Sequence, residues 1–228
     1  MASISPRQFV YNLCAEFPTG GYENWARCQM LFPHAKPAAG QQPEGDSVLG
    51  DWTTMLYRAA WYAWGMENGI EAEKMSVQAM NARKKMFGPE HEEMLDSKTM
   101  VGLAYNLKGR WEATEALKVE VMETYKKLGA DHPSTLTSMG NLVLTYGKQG
   151  RWKAAEALEV EVMEIRKKKL GADHPDTLTS MNNLAFTWNR QGRDAEAIKL
   201  MRDCVQLRRH VLGVSHPHYI SASKTMAT

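Results

Sequence analysis

Two short motifs recur along the sequence with one constant period. A Gly-x-x-His motif places its histidines at successive spacings of 41, 42 and 42 residues, at His91, His132, His174 and His216. A second motif, glycine followed by arginine, keeps the same period at Gly109, Gly150 and Gly192. Since independent markers share one period, the chain is predicted to be a repeat array in which neighbouring repeats stack to bury a common core.

Each repeat predicts two helices. In the middle repeat Leu142, Val143 and Tyr146 form an apolar stripe, and this first helix is expected to end near Gly150. An apolar stripe with helical spacing then marks the second helix, through Trp152, Ala155, Leu158, Val162 and Ile165. The aromatic residues at one matched position of the first helices are predicted to be core wedges: Tyr105, Tyr146 and Trp188. The pattern predicts an all-α stack of antiparallel helix pairs.

The pattern of leucine, small residue, aromatic residue, glycine and alanine resembles the tetratricopeptide repeat, whose usual period is about 34 residues. The resemblance implies a right-handed superhelical solenoid of antiparallel helix pairs. A longer repeat with "LGADHPDTLTSMNNLAF" at its junction (170–186) resembles the repeats of kinesin light chains. It resembles still more closely the C-terminal repeat arrays of fungal and bacterial NB-ARC or NACHT signalling ATPases. The segment "FPTGGYENWARCQMLFPHAKPA" (17–38) is similar to the helical segment that precedes the repeats in those proteins.

The markers predict two regions: a helical N-terminal segment with a linker at 1–50, and a solenoid at 51–228. The solenoid divides into about three and a half repeats, at 51–95, 96–136, 137–178 and 179–220, with a truncated start of another at 221–228. The repeat at 51–95 is degenerate, because Asn68-Gly69 replaces the Gly-Arg turn, and its second helix is expected to be shortened. No G-x-x-x-x-G-K phosphate loop occurs, so a detached array or a truncated gene product is expected.

The composition argues against several function classes. Lys and Arg number 28 and Asp and Glu 26, a net charge of +2, which gives no case for a nucleic-acid or membrane-surface binder. Cys14, Cys28 and Cys204 share no close spacing, so neither a disulfide framework nor a zinc knuckle is implied. No secretory signal or membrane-spanning run is recognisable. We therefore expect a reduced, cytoplasmic protein without a cofactor. The sequence contains no catalytic signature, so we do not expect an enzyme.

The recurring histidines could be read as metal ligands, but their spacing argues against that reading. Equivalent helices of stacked hairpins lie about 10 Å apart, whereas zinc needs ligand nitrogens about 2 Å from one ion. We interpret the motif as a boundary between helices. Gly171 ends one helix, Asp173 or His174 caps the next, and Pro175 fits its first turn. The run Lys167–Lys169 is interpreted as a solvated helix end, and Cys204 as a core residue.

The first helices should line the concave surface of such a solenoid. If their apolar stripes face the core, the other face supplies the candidate peptide-binding residues: Asn141, Leu144, Lys148, Asn182, Asn183, Phe186, Asn189 and Arg190. Gly140 and Gly147 are expected on the same surface. The matched set in the preceding repeat is Thr99, Met100, Leu103, Asn106 and Leu107.

These residue types suit an extended peptide. Asparagine amides both donate and accept hydrogen bonds, so they can hold a peptide backbone whatever its sequence. Lys148 and Arg190 favour a carboxylate, and the leucine and phenylalanine side chains offer apolar contacts. Resemblance to light-chain repeats implies that Asn141 and Asn183 line a peptide groove, with Met100 replacing the asparagine in the preceding repeat.

The sequence favours a non-catalytic scaffold or adaptor that binds an extended or helical peptide carrying acidic and apolar residues. One alternative is a self-associating regulatory or assembly fragment of an NB-ARC-type protein, joined through solenoid ends near Leu212, Tyr219 and Ile220. A third is a pathway accessory protein with an unrecognised pocket among the N-terminal helices.

Overall fold

The structure, a computed structural model, describes residues 5–212. These residues form ten α-helices, with one 3₁₀ turn at Tyr22–Asn24, and contain no strand. The helices are α1 Pro6–Glu16, α2 Trp25–Ala39, α3 Asp46–Gly65, α4 Gly69–Phe87, α5 Glu92–Leu107, α6 Trp111–Lys126, α7 Pro133–Lys148, α8 Trp152–Leu170, α9 Pro175–Arg190 and α10 Asp194–Leu212. The predicted all-α class is confirmed.

Consecutive helices pack as hairpins. Helix α3 packs on α4, α7 on α8 and α9 on α10, while α4 also contacts α5 and α8 also contacts α9. The chain forms two compact units that divide after Val121, inside α6. Helix α4 therefore lies between α3 and α5, and α8 lies between α7 and α9, which is how neighbouring repeats share a core.

In the first unit, helices α1 and α2 cover α3. Trp52, near the start of α3, is 1% exposed, and its indole nitrogen donates to the backbone oxygen of Ala38 at 2.9 Å. Arg58 donates to the backbone oxygens of Cys14 and Phe17 at the end of α1. Because α3 begins at Asp46, it includes the last residues of the predicted N-terminal segment.

The recurring histidine is the N-cap of the helix that follows it. At His91, His132 and His174 the ring Nδ1 accepts the backbone N–H two residues later, at 3.2–3.3 Å. Helices α7 and α9 then begin at Pro133 and Pro175, a position whose backbone N–H would have no partner within the helix. Of the two candidate caps before α9, His174 rather than Asp173 is the cap. His216 lies outside the described residues.

The Gly-Arg motif closes the C-termini of the first helices α5, α7 and α9. Gly109, Gly150 and Gly192 have left-handed φ values of 67–76°, which glycine adopts without strain. The arginine N–H then donates to the aromatic residue's carbonyl five positions earlier, at 2.9–3.0 Å, as in a Schellman motif. Each guanidinium also stacks on that aromatic ring, at 3.9–4.8 Å, in the pairs Arg110–Tyr105, Arg151–Tyr146 and Arg193–Trp188. The aromatic rings are half-buried under arginine rather than wedged in the core as predicted.

A glutamate on the preceding second helix fixes this closure. The Glu156 carboxylate on α8 accepts from Trp188 Nε1 at 2.7 Å, Gln191 Nε2 at 2.9 Å and Arg193 Nη1 at 2.6 Å. In the first unit Glu73 on α4 accepts from Arg110 at 2.9 Å and Lys108 at 2.6 Å. Both glutamates stand six residues after the turn, so one repeated contact joins successive repeats.

The degenerate repeat closes its first helix differently. Its turn residue is Glu67, the non-glycine residue with a positive φ (56°) in the described chain. The backbone N–H of the next residue, Asn68, donates to the Ala63 carbonyl at 2.8 Å. Asn68 then caps α4 by accepting the Glu71 N–H at 3.2 Å. Helix α4 has 19 residues, as many as α8, so the expectation of a shortened second helix is wrong. The asparagine cap lets α4 begin directly at Gly69.

Replacing Glu67 with glycine is expected to raise the free energy of unfolding by about 0.5–1 kcal/mol. Relief of left-handed strain, about 1–2 kcal/mol, exceeds the added chain entropy of an unfolded glycine, about 0.5–1 kcal/mol. Urea denaturation monitored by circular dichroism measures the change. Glu67→Ala is the matched control, because it keeps the strain, and equal stability of the two variants would contradict the explanation.

Candidate functional site

A groove of about 720 Å³ runs between α7, α8 and α9 in the second unit. Its floor is defined by residues of α8 at helical spacing, namely Trp152, Ala155, Glu159, Val162 and Arg166. Its sides are formed by α7 residues Leu136, Thr137, Gly140, Asn141, Val143, Leu144, Gly147 and Lys148, and by α9 residues Thr179, Ser180, Asn182, Asn183, Phe186 and Thr187. Two first helices thus flank the second helix between them.

Six of the eight predicted peptide-binding residues line this groove: Asn141, Leu144, Lys148, Asn182, Asn183 and Phe186. Asn189 and Arg190 stand beyond its end. The Asn189 amide donates to Asp194 Oδ1 at 3.1 Å, and the Arg190 guanidinium lies 5.3 Å from the ring centre of Trp152, a floor residue. The structure brings the predicted residues together, while their role in binding stays a prediction.

The sides of the groove present large apolar side chains to solvent. Leu144 is 65% exposed and Phe186 58% exposed, on the two opposite helices. The Phe186 ring meets Trp152 edge to face, with centroids 6.4 Å apart. A β-carbon built on Gly140 would meet no atom within 4 Å, so the α7 backbone is open to the groove there. Such surfaces are a common feature of binding grooves.

Sequence reasoning missed the polar residues of the floor. Arg166 donates from Nη1 to Ser180 Oγ at 2.8 Å and to the Asp176 carbonyl at 3.3 Å, which holds it across to α9. Glu159 and Arg166 share one face of α8 with Ala155 and Val162, at spacings of four, three and four residues. That periodicity was available in the sequence, but it was assigned entirely to apolar packing.

Glu159 is a buried acid whose bonding is incomplete. Its side chain is 6% exposed, and Oε2 has no hydrogen-bond partner among the described residues. Burial raises the pKa of this carboxyl, and the nearby charge of Glu156 raises it further, against the opposing effect of the Thr187 hydrogen bond. The groove therefore has an unsatisfied acceptor in its floor.

The preceding repeat does not repeat this arrangement at its predicted positions. Met100 was predicted to face a groove, but it is 1% exposed and belongs to the core that contains Trp52. Leu103 is also partly buried against that core. The expectation for Met100 is wrong because α5 also contacts α3, so this face of α5 is covered.

The family model of the tetratricopeptide repeat matches residues 53–93, 135–176 and 177–218, more than half of the sequence. The chain belongs to the tetratricopeptide repeat (TPR) family. The predicted resemblance to TPR proteins is therefore confirmed. No curated protein matches the TPR chain in sequence comparison.

Solved structures share the fold of this TPR protein. A Podosopora anserina protein, described as a kinesin light chain with nearly identical TPR-like repeats, superposes with a TM-score of 0.74 at 22% identity, covering 91% of this chain and 98% of its own. BtubC (BKLC) from P. vanneervenii gives 0.67 at 17% identity, covering 85% and 76%. The apo form of RapI gives 0.66 at 11% identity, covering 90% and 70%. These likenesses establish the fold alone, that of TPR-like helical repeats.

Two other expectations concern the ends of the chain. Tyr219 and Ile220, proposed for self-association, lie outside the described residues, as does the side chain of Leu212. The other expectation is a pocket among the N-terminal helices, around Trp25. There the Trp25 indole donates to the Gly20 carbonyl at 3.1 Å, and the ring packs against the core. No helix in the described part of the chain is long and apolar enough to cross a membrane.

Proposed function

We propose that this TPR protein is a non-catalytic adaptor whose groove between α7, α8 and α9 binds an extended peptide segment with acidic and apolar residues. The observation that supports this proposal is the pair of exposed apolar side chains, Leu144 and Phe186, facing one groove from opposite helices. In the unbound protein both apolar side chains contact water, which is unfavourable, whereas a bound segment would remove both from water.

The polar residues of the groove suit the same ligand. Asn182 and Asn183 on α9 can donate and accept hydrogen bonds along a peptide backbone. Lys148 on α7 is exposed at the groove, and Arg190 stands at its end beside Trp152, so carboxylates of the segment would meet positive charge. Micromolar affinity, about −8 kcal/mol, is expected for a groove of this kind.

The sequence of the repeat junction supports a proposal about where this adaptor acts. Its resemblance to the repeat arrays of NB-ARC and NACHT proteins suggests a cytoplasmic signalling role. In the alternative, self-associating form, contacts near Leu212, Tyr219 and Ile220 would join copies of the chain. Light scattering that rises with protein concentration would favour that alternative, whereas a groove ligand would bind the monomer.

Replacing Leu144 or Phe186 with aspartate is expected to weaken peptide binding at least tenfold, because each change puts charge where apolar contact is needed. Asn183→Ala and Arg190→Glu should weaken it less, through lost backbone and carboxylate contacts. Binding is measured by titrating the purified protein against an array of extended peptides that combine aspartate, glutamate and leucine.

Ile198→Asp is the matched control, because Ile198 is a 50% exposed apolar residue of α10 that does not line the groove. All these positions are exposed, so the free energy of unfolding should change by no more than about 1.5 kcal/mol, with the largest loss for Phe186, whose ring contacts Trp152. Equal binding by wild type, the groove variants and the control would refute the proposed site.

A further inference from the structure

The unsatisfied acid in the groove floor is not required by the repeat. Glu159 stands nine residues after the turn, and the matched positions of the other repeats carry Ser76, Lys118 and Met201. Ser76 and Lys118 are buried like Glu159, so this position tolerates neutral, basic and acidic side chains within the same fold. A reason for the acid must therefore be sought outside the packing of the helices.

An unpaired carboxylate at a buried position is destabilising, because a charge removed from water needs a partner to replace its hydration. The surroundings of Glu159 do not supply one. Thr187 bonds to the carboxyl, Oε2 remains unpartnered among the described residues, and the charged neighbour Glu156 has the same sign. Arg166, two turns along the same face of α8, directs Nη1 to Ser180 and Asp176 instead.

We propose that Glu159 is a binding site for a basic side chain, lysine or arginine, of the segment that occupies the groove. A cationic donor satisfies both deficits, since it gives Oε2 a hydrogen bond and neutralises the buried charge. A neutral donor would satisfy the hydrogen bond alone. The methylene stem of such a side chain would lie against the apolar residues of the groove, with its charged end at the floor.

This inference rests on the proposed peptide-binding function and makes it more specific. The rim and end of the groove carry Lys148 and Arg190. Of the two charged floor residues, Arg166 is bonded to Ser180 of α9, whereas Glu159 Oε2 lacks a hydrogen-bond partner among the described residues. A complementary segment therefore has a basic residue at its centre, apolar residues on either side and acidic residues beyond them. Charge of this alternating pattern would also exclude segments with an acid at the central position.

The test uses acetylated, amidated pentapeptides of the form Asp-Leu-Xaa-Leu-Asp, with Xaa as lysine, norleucine or glutamate. Norleucine has the lysine stem without its charge, so it is the matched probe. Isothermal titration of the full chain should give at least tenfold tighter binding for the lysine peptide than for the norleucine peptide. The glutamate peptide should bind most weakly of the three.

The preference should depend on one carboxylate. In Glu159→Gln and Glu159→Met the lysine and norleucine peptides should bind with equal affinity, because the carboxylate that distinguishes them has been removed. Methionine is the residue at matched position 201, so the second variant keeps a side chain that the repeat already accommodates. Neither variant should be less stable than wild type, because each removes an unpaired buried charge.

Three outcomes would overturn the inference. If wild type binds the norleucine peptide through the groove but shows no lysine preference, the basic subsite is wrong and the peptide groove survives. If the lysine preference persists in both Glu159 variants, another acid is responsible. If no pentapeptide binds, and if wild type and Leu144→Asp bind the peptide array equally, the proposed function is overturned and this inference with it.

Discussion

Replacing Trp52 with alanine should lower the free energy of unfolding by about 3–5 kcal/mol, the largest single effect we expect. The side chain is 1% exposed, and its indole nitrogen connects α3 to the end of α2 through the Ala38 carbonyl. Removing it would leave a cavity where the N-terminal helices meet the first repeat. Denaturation in guanidinium chloride, followed by tryptophan-independent circular dichroism, measures the change.

Trp52→Phe separates packing from hydrogen bonding. The phenylalanine ring fills most of the space, and the Ala38 carbonyl still accepts the Gln41 N–H at 3.2 Å. The phenylalanine variant should therefore lose only about 1 kcal/mol. If both variants lose the same stability, the indole hydrogen bond and not the packed ring holds this junction.

Replacing Glu156 with alanine should lower the free energy of unfolding by about 2 kcal/mol, because three donors lose a charged acceptor at once. Trp188, Gln191 and Arg193 would lose the group that ties the end of α9 to α8. Gln191 keeps a bond to the Trp152 carbonyl and Arg193 keeps Glu196, so the loss is not larger. Glu164→Ala, an exposed glutamate on the same helix, should change stability by less than about 0.5 kcal/mol.

The same contact predicts a dependence on pH. Burial acts to raise the pKa of Glu156, but the hydrogen bonds from Gln191, Trp188 and Arg193 prevail and lower it below its ordinary value. Its stabilisation is therefore fully present above the unfolded-state pKa and is lost as the pH falls through the folded-state pKa. Glu156→Gln should flatten the acid side of the stability profile. An unchanged profile would mean that the carboxylate does not carry this contact.

Glu159 has the opposite effect on the pH dependence of stability. Since its pKa is raised, its unfavourable charge is fully present above the folded-state pKa and is relieved as the pH falls toward the unfolded-state value. The two glutamates lie one turn apart on α8, yet one stabilises the fold and the other does not. Their difference lies in hydrogen-bond partners rather than in residue type.

Much of the fold could be predicted from local chemistry. The Gly-x-x-His and Gly-Arg motifs fix helix starts and ends through caps that involve only neighbouring residues, so their period revealed the helix pairs. The groove residues of α7 and α9 followed from the same register, because helical spacing determines which side chains share a face. Cys204 is fully buried and Lys167–Lys169 are exposed, as predicted.

The errors concern contacts between elements distant in sequence. Met100 was placed on a free surface because the packing of α5 on α3 leaves no local signal. The aromatic residue Tyr146 was assigned to the core because its stacking partner Arg151 looked like an ordinary turn residue. Glu159 was left out of the predicted groove, since its burial depends on contacts with α9 that leave no local signal.

Gly140 has a consequence for how this surface could change. The matched residues of the neighbouring repeats, Thr99 and Asn182, carry side chains, whereas Gly140 adds none to its side of the groove. A larger residue there would narrow the groove, and its β-carbon would meet no atom within 4 Å. Selectivity for slim or bulky occupants could thus be retuned by one substitution that leaves the scaffold intact.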